Sequence, residues 1–85
     1  MITREELLHQ WHSRKNSITV DTVTLSEQEV YFTASVLNEL KDTKIDALTT
    51  RQVLERCRSG YRSHVPVGVC VSSILIMQKT FSNLR

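Results

Sequence analysis

Between Ser26 and Lys41, apolar residues recur at helical spacing. Val30, Ala34 and Leu37 fall on one face, and Phe32, Val36 and Leu40 on a second face beside it. At about 100° per residue the two faces merge into an apolar arc of roughly 200°, wider than a helix resting on one core needs. Such a helix must be covered on two sides, by two neighbouring elements or by one element and a second subunit. Its start is marked by Ser26 and Glu29, the capping-box pair that satisfies free amides in a first turn, with Leu25 and Val30 as the hydrophobic staple.

The same signal occurs twice more. Thr3 with Glu6, stapled by Ile2 and Leu7, opens a short segment whose apolar edge is Leu7, Leu8 and Trp11 and which ends near Ser13–Ser17. A helix that short is not stable alone, so this edge must dock, with Trp11 as anchor. Thr49 with Gln52, stapled by Leu48 and Val53, opens a helix over 49–59. Val53, Leu54 and Cys57 form its apolar side; Arg51, Glu55, Arg58 and Arg62 occupy the outer side, and Arg56 flanks the apolar edge. Gly60 is placed to end it in the left-handed conformation. The three boxes stand 23 residues apart, but the intervening segments do not match, so the spacing is no repeat.

Two segments remain. Ile18 to Thr24 is rich in β-branched residues and alternates at Ile18, Val20 and Thr22, which predicts a strand. Asp42 to Ala47 reads as a turn, with Lys44-Ile45 a short bridge to that strand. Val65, Val67, Val69 and Val71 alternate as in a strand. Against that, Val67, Cys70, Val71, Ile74, Met77, Phe81 and Leu84 share one helical stripe, with Pro66 suited to a first turn. A helix over 72–83 follows from the stripe; residues 65–71 fit either state. The pattern predicts one mainly α domain over 1–85, with three to four helices and one or two short strands.

Composition narrows the class. A chain of 85 residues buries a modest core, and dimerisation is a common remedy. The longest apolar stretch, Val65 to Met77, is too short and interrupted to span a membrane. MITREELL carries acids where a signal peptide needs a basic and then an apolar run, so a cytoplasmic setting is expected. Cys57 and Cys70 are too few for a disulfide framework and read as small buried side chains. Net charge is only +2, yet residues 1–48 carry −3 and residues 49–85 carry +5. The basic half suggests an anionic partner; a solvated basic face is the plainer account.

Recognisable chemistry is absent from the motifs. There is no glycine-rich phosphate loop, nucleophile elbow or zinc quartet of known spacing. His9 and His12 stand one turn apart on a helix, but two ligands do not make a site. Cys57, His64 and Cys70 are spaced unlike common zinc sites, and both cysteines sit on apolar stripes. The acids Glu5, Glu6, Glu27 and Glu29 lie at helix starts, where they suit the dipole. No enzyme, metal or cofactor is expected.

LTTRQVLERCRSG followed by VSSILIMQKTF resembles the second and third helices of helix-turn-helix and winged-helix DNA-binding domains, with the 26–41 helix as the first. The resemblance is one of pattern and covers about 60 residues. SGYRSHVP is long for the usual turn, and no β-hairpin wing follows. The resemblance implies that Arg51, Arg56, Arg58 and Arg62 contact phosphates. It also implies that Ser72, Ser73, Lys79 and Asn83 reach base edges. The corresponding function is a small nucleic-acid-binding protein, a dimeric transcriptional regulator with DNA as partner. The alternative is a protein-interaction module, an adaptor or an inhibitor of a larger enzyme, with no nucleic-acid binding. Leu75 and Ile76 favour it, since they point outward where a DNA-reading helix would be polar. Together with Phe32, Val36 and Leu40 they are the expected interface residues.

Overall fold

The computed structural model describes residues 2–43 and 49–83, apart from the Ser82 side chain. Its elements are α1 (Arg4–Arg14), β1 (Ile18–Val20), β2 (Val23–Leu25), α2 (Glu27–Glu39), α3 (Thr50–Arg62) and α4 (Val67–Asn83). The mainly α reading holds, with four helices and one two-stranded antiparallel sheet among the described residues. The Lys44-Ile45 bridge, the Asp42–Ala47 turn beyond Thr43, Leu48 of the third staple and Leu84 of the last stripe lie outside the described residues.

All three predicted helix starts are capped, two of them by the full capping box that the sequence predicts. Thr3, Ser26 and Thr49 are extended, and the hydroxyl of each accepts the amide three residues on. At Ser26 and Thr49 the reciprocal bond from the third helical residue is also made. The helix ends were less legible.

The single strand predicted over Ile18–Thr24 is instead a hairpin. Ile18 pairs with Leu25 and Val20 with Val23. Asp21 and Thr22, the two turn residues, both have positive φ, 50° and 69°. This is the type I′ arrangement, which matches the twist of the flanking strands. Asn-Gly or Asp-Gly would signal it; Asp-Thr does not, because a β-branched residue at positive φ is strained. The alternation therefore restarts after the turn, and Ile18, Val23 and Leu25 are the buried positions.

The expected left-handed Gly60 is also corrected. α3 runs through Gly60 to Arg62, and no glycine has positive φ. The left-handed residue is His64, at φ 55°. The amide of Val65 donates to the Gly60 carbonyl at 2.9 Å and that of His64 to the Tyr61 carbonyl at 3.1 Å. These are the two bonds of a Schellman cap, with histidine in the usual glycine position. The connection to α4 is consequently four residues, Ser63 to Pro66, shorter than the sequence suggested. The Pro66 carbonyl accepts from the Cys70 amide at 3.0 Å, so residues 67–71 are helix, not strand.

α2 is the central element. It packs on α1, α3, α4 and β2, and Val30, Ala34, Val36, Leu37 and Leu40 are all buried. Leu7 and Trp11 of α1, Leu54 and Cys57 of α3, and Cys70 and Ile74 of α4 complete the core. The wide apolar arc is thus covered within the chain. Val36 and Leu40, expected at an interface, are core residues with 0% and 2% exposure. Phe32 is half-buried and packs on Tyr61, ring centroids 5.9 Å apart.

The two strained turns generate a prediction. Thr22→Gly and His64→Gly should each raise stability by about 1 kcal/mol, by removing the left-handed penalty. Urea midpoints should rise at unchanged slope, and a fall at either position would contradict the assigned φ.

Candidate interaction surface

The basic residues of α3 do not form one free patch. Arg51 Nε donates to Glu55 Oε1 at 3.1 Å, both side chains exposed. Arg56 turns toward α4, where its Nε donates to Ser73 Oγ at 2.9 Å. Two residues expected at nucleic acid therefore bind each other. Arg58, predicted on the outer side, turns inward. Its Nε donates to Glu29 Oε2 at 2.6 Å, with side-chain exposures of 28% and 10%. It lies on the edge of α3 that faces the first turn of α2, beside buried Leu54 and Cys57. Arg62, in the last turn of α3, and Lys79 are exposed and form no ion pair among the described residues.

Glu29 is the most constrained acid described. Its Oε1 accepts the Ser26 amide at 3.3 Å while Oε2 accepts Arg58. Burial pushes its carboxyl up, but the bonds from Arg58 and Ser26 outweigh it and hold the group below the usual carboxylate value. Close by, the Tyr61 hydroxyl donates to Gln28 Oε1, a second tie between α3 and the start of α2.

The outer face of α4 is different in kind. Over its 17 residues Lys79 is the single charged side chain. Ile76 is 67% exposed, Val69 56% and Leu75 36%. Ser72 sits between Val69 and Ile76 on this face, and its hydroxyl is used internally, donating to the Gly68 carbonyl at 3.1 Å. Asn83 is exposed at the C-terminal end. A helix that is apolar nearly all round normally has cover on all sides. Here Cys70 and Ile74 are buried, with Val67, Val71, Met77 and Phe81 half-buried beside them, while the opposite face is open. Leu75 and Ile76 were expected to point outward and do. Val69 was not singled out, because its place in the Val65–Val71 alternation gave it no helical face; with α4 starting at Val67, it falls one turn before Ser72 and two before Ile76.

His9 and His12 are both exposed on α1. Among the described residues no three His, Cys, Asp or Glu side chains converge as metal ligands, and no helix is long and apolar enough to cross a membrane. The chain matches no family model, no curated protein and no solved structure.

The Glu29–Arg58 pair predicts a pH signature. Because the folded-state value of Glu29 is depressed, its stabilisation is present above the unfolded value, about 4.3, and is lost as pH falls through the folded value. Glu29→Gln should lower stability at neutral pH by about 2 kcal/mol and flatten the acid limb of a stability–pH curve. A variant whose acid limb parallels the parent would show that another carboxylate carries it.

Proposed function

We propose that the chain is a protein-interaction module that docks through the outer face of α4. The observation that carries this reading is the exposure of Val69 and Ile76 on a helix with one charged side chain. Exposed apolar groups gathered on one face favour burial against a partner, and desolvating this face costs little because almost no charge must be stripped. A second copy of the chain is the partner that suits it best. Two α4 helices packed about a two-fold axis would bring no row of like charges together, and Val69, Leu75 and Ile76 would meet their counterparts. The wide arc of α2 no longer argues for the dimer; α4 does.

A second reading, nucleic-acid binding by a transcriptional regulator, is supported by the four-residue connection between α3 and α4, close to that of a helix-turn-helix. In that reading Arg62 and Lys79, both exposed, supply the main phosphate contacts, with Arg51 and Arg56 recruited from their internal partners. Neither reading gives the chain a catalytic role, a metal or a cofactor. A cytoplasmic setting suits both, since the two cysteines are free.

Ile76→Glu should abolish self-association in sedimentation equilibrium, weakening the dimer by at least about thirtyfold, the effect of losing one interface anchor. Its thermal melt should stay near that of the parent monomer, because the side chain is 67% exposed. A parent chain that is monomeric at high concentration overturns the second-copy reading. For the nucleic-acid reading, the double variant Arg62→Ala/Lys79→Ala should weaken duplex binding and shallow its salt dependence by about two counterions. Absence of parent binding at low salt would remove that reading.

A further inference from the structure

A cavity of about 180 Å³ opens between α3 and α4, with Arg56, Ser59, Gly60, Val69, Cys70 and Ser73 in its wall. Cys70 reaches it because α3 carries glycine at the crossing. A Cβ at Gly60 would lie 3.0 Å from Cys70 Sγ and 3.5 Å from Cys70 Cβ, so a larger residue would crowd the sulfur. The sulfur also lies 3.9 Å from the Arg56 carbonyl oxygen.

Behind Cys70 is Cys57, wholly buried on α3. The Cys70 sulfur, set between the Arg56 carbonyl and Gly60, rests on the turn of α3 that carries Cys57. α2, which packs on both helices, adds the Thr33 hydroxyl to the interior. Thr33 is fully buried, and its Oγ1 completes no hydrogen bond among the described residues. Three elements therefore bring polar groups into an apolar core, where unsatisfied groups are costly. The docking face of α4 shares Val69 with the cavity wall but uses none of these polar groups.

Cys70, 2% exposed, lines the cavity together with Arg56, and Cys57 is sealed within the core. That is the layout of an attacking and a resolving thiol. We propose that Cys70 is a peroxide-reactive thiol and Cys57 its resolving partner, so that a hydroperoxide converts the pair into a disulfide joining α3 to α4. The influence of Cys57 and of the Arg56 charge outweighs burial and holds the Cys70 thiol below the ordinary range. The influence of Cys70, together with burial, pushes the Cys57 thiol up. Cys70 lines the cavity that a peroxide would enter and Cys57 does not, which makes Cys70 the attacking thiol.

The chemistry balances with the peroxide as oxidant. The Cys70 thiolate attacks the terminal peroxide oxygen, the O–O bond breaks, and the leaving alkoxide or hydroxide takes up a proton; Cys70 becomes a sulfenic acid. Cys57 then gives up its proton and attacks the Cys70 sulfur. The S–S bond forms, the S–O bond breaks, and water leaves with that proton. Two thiols lose two electrons and two protons; the peroxide is reduced to an alcohol and water, or to two waters.

The test uses the full chain and hydrogen peroxide. The native protein is treated at neutral pH, quenched, unfolded and alkylated for intact-mass analysis. The expected product is a monomer lighter by two hydrogens, with both alkylation sites lost and both restored by dithiothreitol. It should form on the order of tenfold faster in the native chain than in the urea-unfolded chain, reflecting thiol activation by the fold. Cys57→Ser should stop at a sulfenic acid on Cys70 that dimedone captures, and Arg56→Gln should slow the parent reaction. Two alkylatable thiols after peroxide, equal rates folded and unfolded, or disulfides formed only between chains would each overturn the proposal. The comparison of folded and unfolded parent decides the matter even if Cys57→Ser fails to fold.

Discussion

Burying an ionised carboxylate is unfavourable unless each oxygen is paired, and Glu29 meets that condition from two elements at once. One oxygen closes the capping box of α2 and the other receives Arg58 from α3. The side chain that starts the central helix is thereby the one that positions the third. The angle at which α3 lies on α2 sets where α4 can pack, because α4 touches both. It also changes the charge distribution. Arg58 is neutralised on the inside and Arg51 is paired along its own helix, so the surplus of positive charge in residues 49–85 does not become a continuous basic surface.

Much of the fold could be read from local signals. The caps at Thr3, Ser26 and Thr49 stood where the sequence put them, because a capping box is a short-range device that needs nothing from tertiary structure. The breadth of the apolar arc correctly implied that 26–41 is covered on two sides; what periodicity cannot say is whether the cover comes from the same chain. Val36 and Leu40 were misassigned for that reason, since a core contact and a subunit contact have the same pattern. The hairpin was missed because its turn uses Asp21 and Thr22 against their own preference, and tertiary packing overrides such a cost of about 1–2 kcal/mol.

The candidate surface was legible only in part. Leu75 and Ile76 stood out because their neighbours on the stripe are polar, whereas Val69 was hidden in an alternation that suits a strand equally well. The inward turn of Arg58 and the mutual bond of Arg56 and Ser73 depend on how helices distant in sequence come together. The seat of the Cys70 sulfur on α3, between the Arg56 carbonyl and Gly60, likewise appears only once α3 and α4 are folded back on each other.

Gly60 carries a consequence for how this chain can change over generations. Its position is sterically joined to Cys70, since the sulfur occupies the space a side chain at 60 would take. Alanine at 60 requires the Cys70 sulfur to give by a few tenths of an ångström, anything larger calls for a smaller residue at 70, and a bulkier residue at 70 is favoured only while 60 stays glycine. Descendants of this sequence should therefore show the two sites drifting together: where glycine gives way on α3, the thiol on α4 should give way with it, to alanine or glycine. A lineage that kept the thiol would have kept the glycine too.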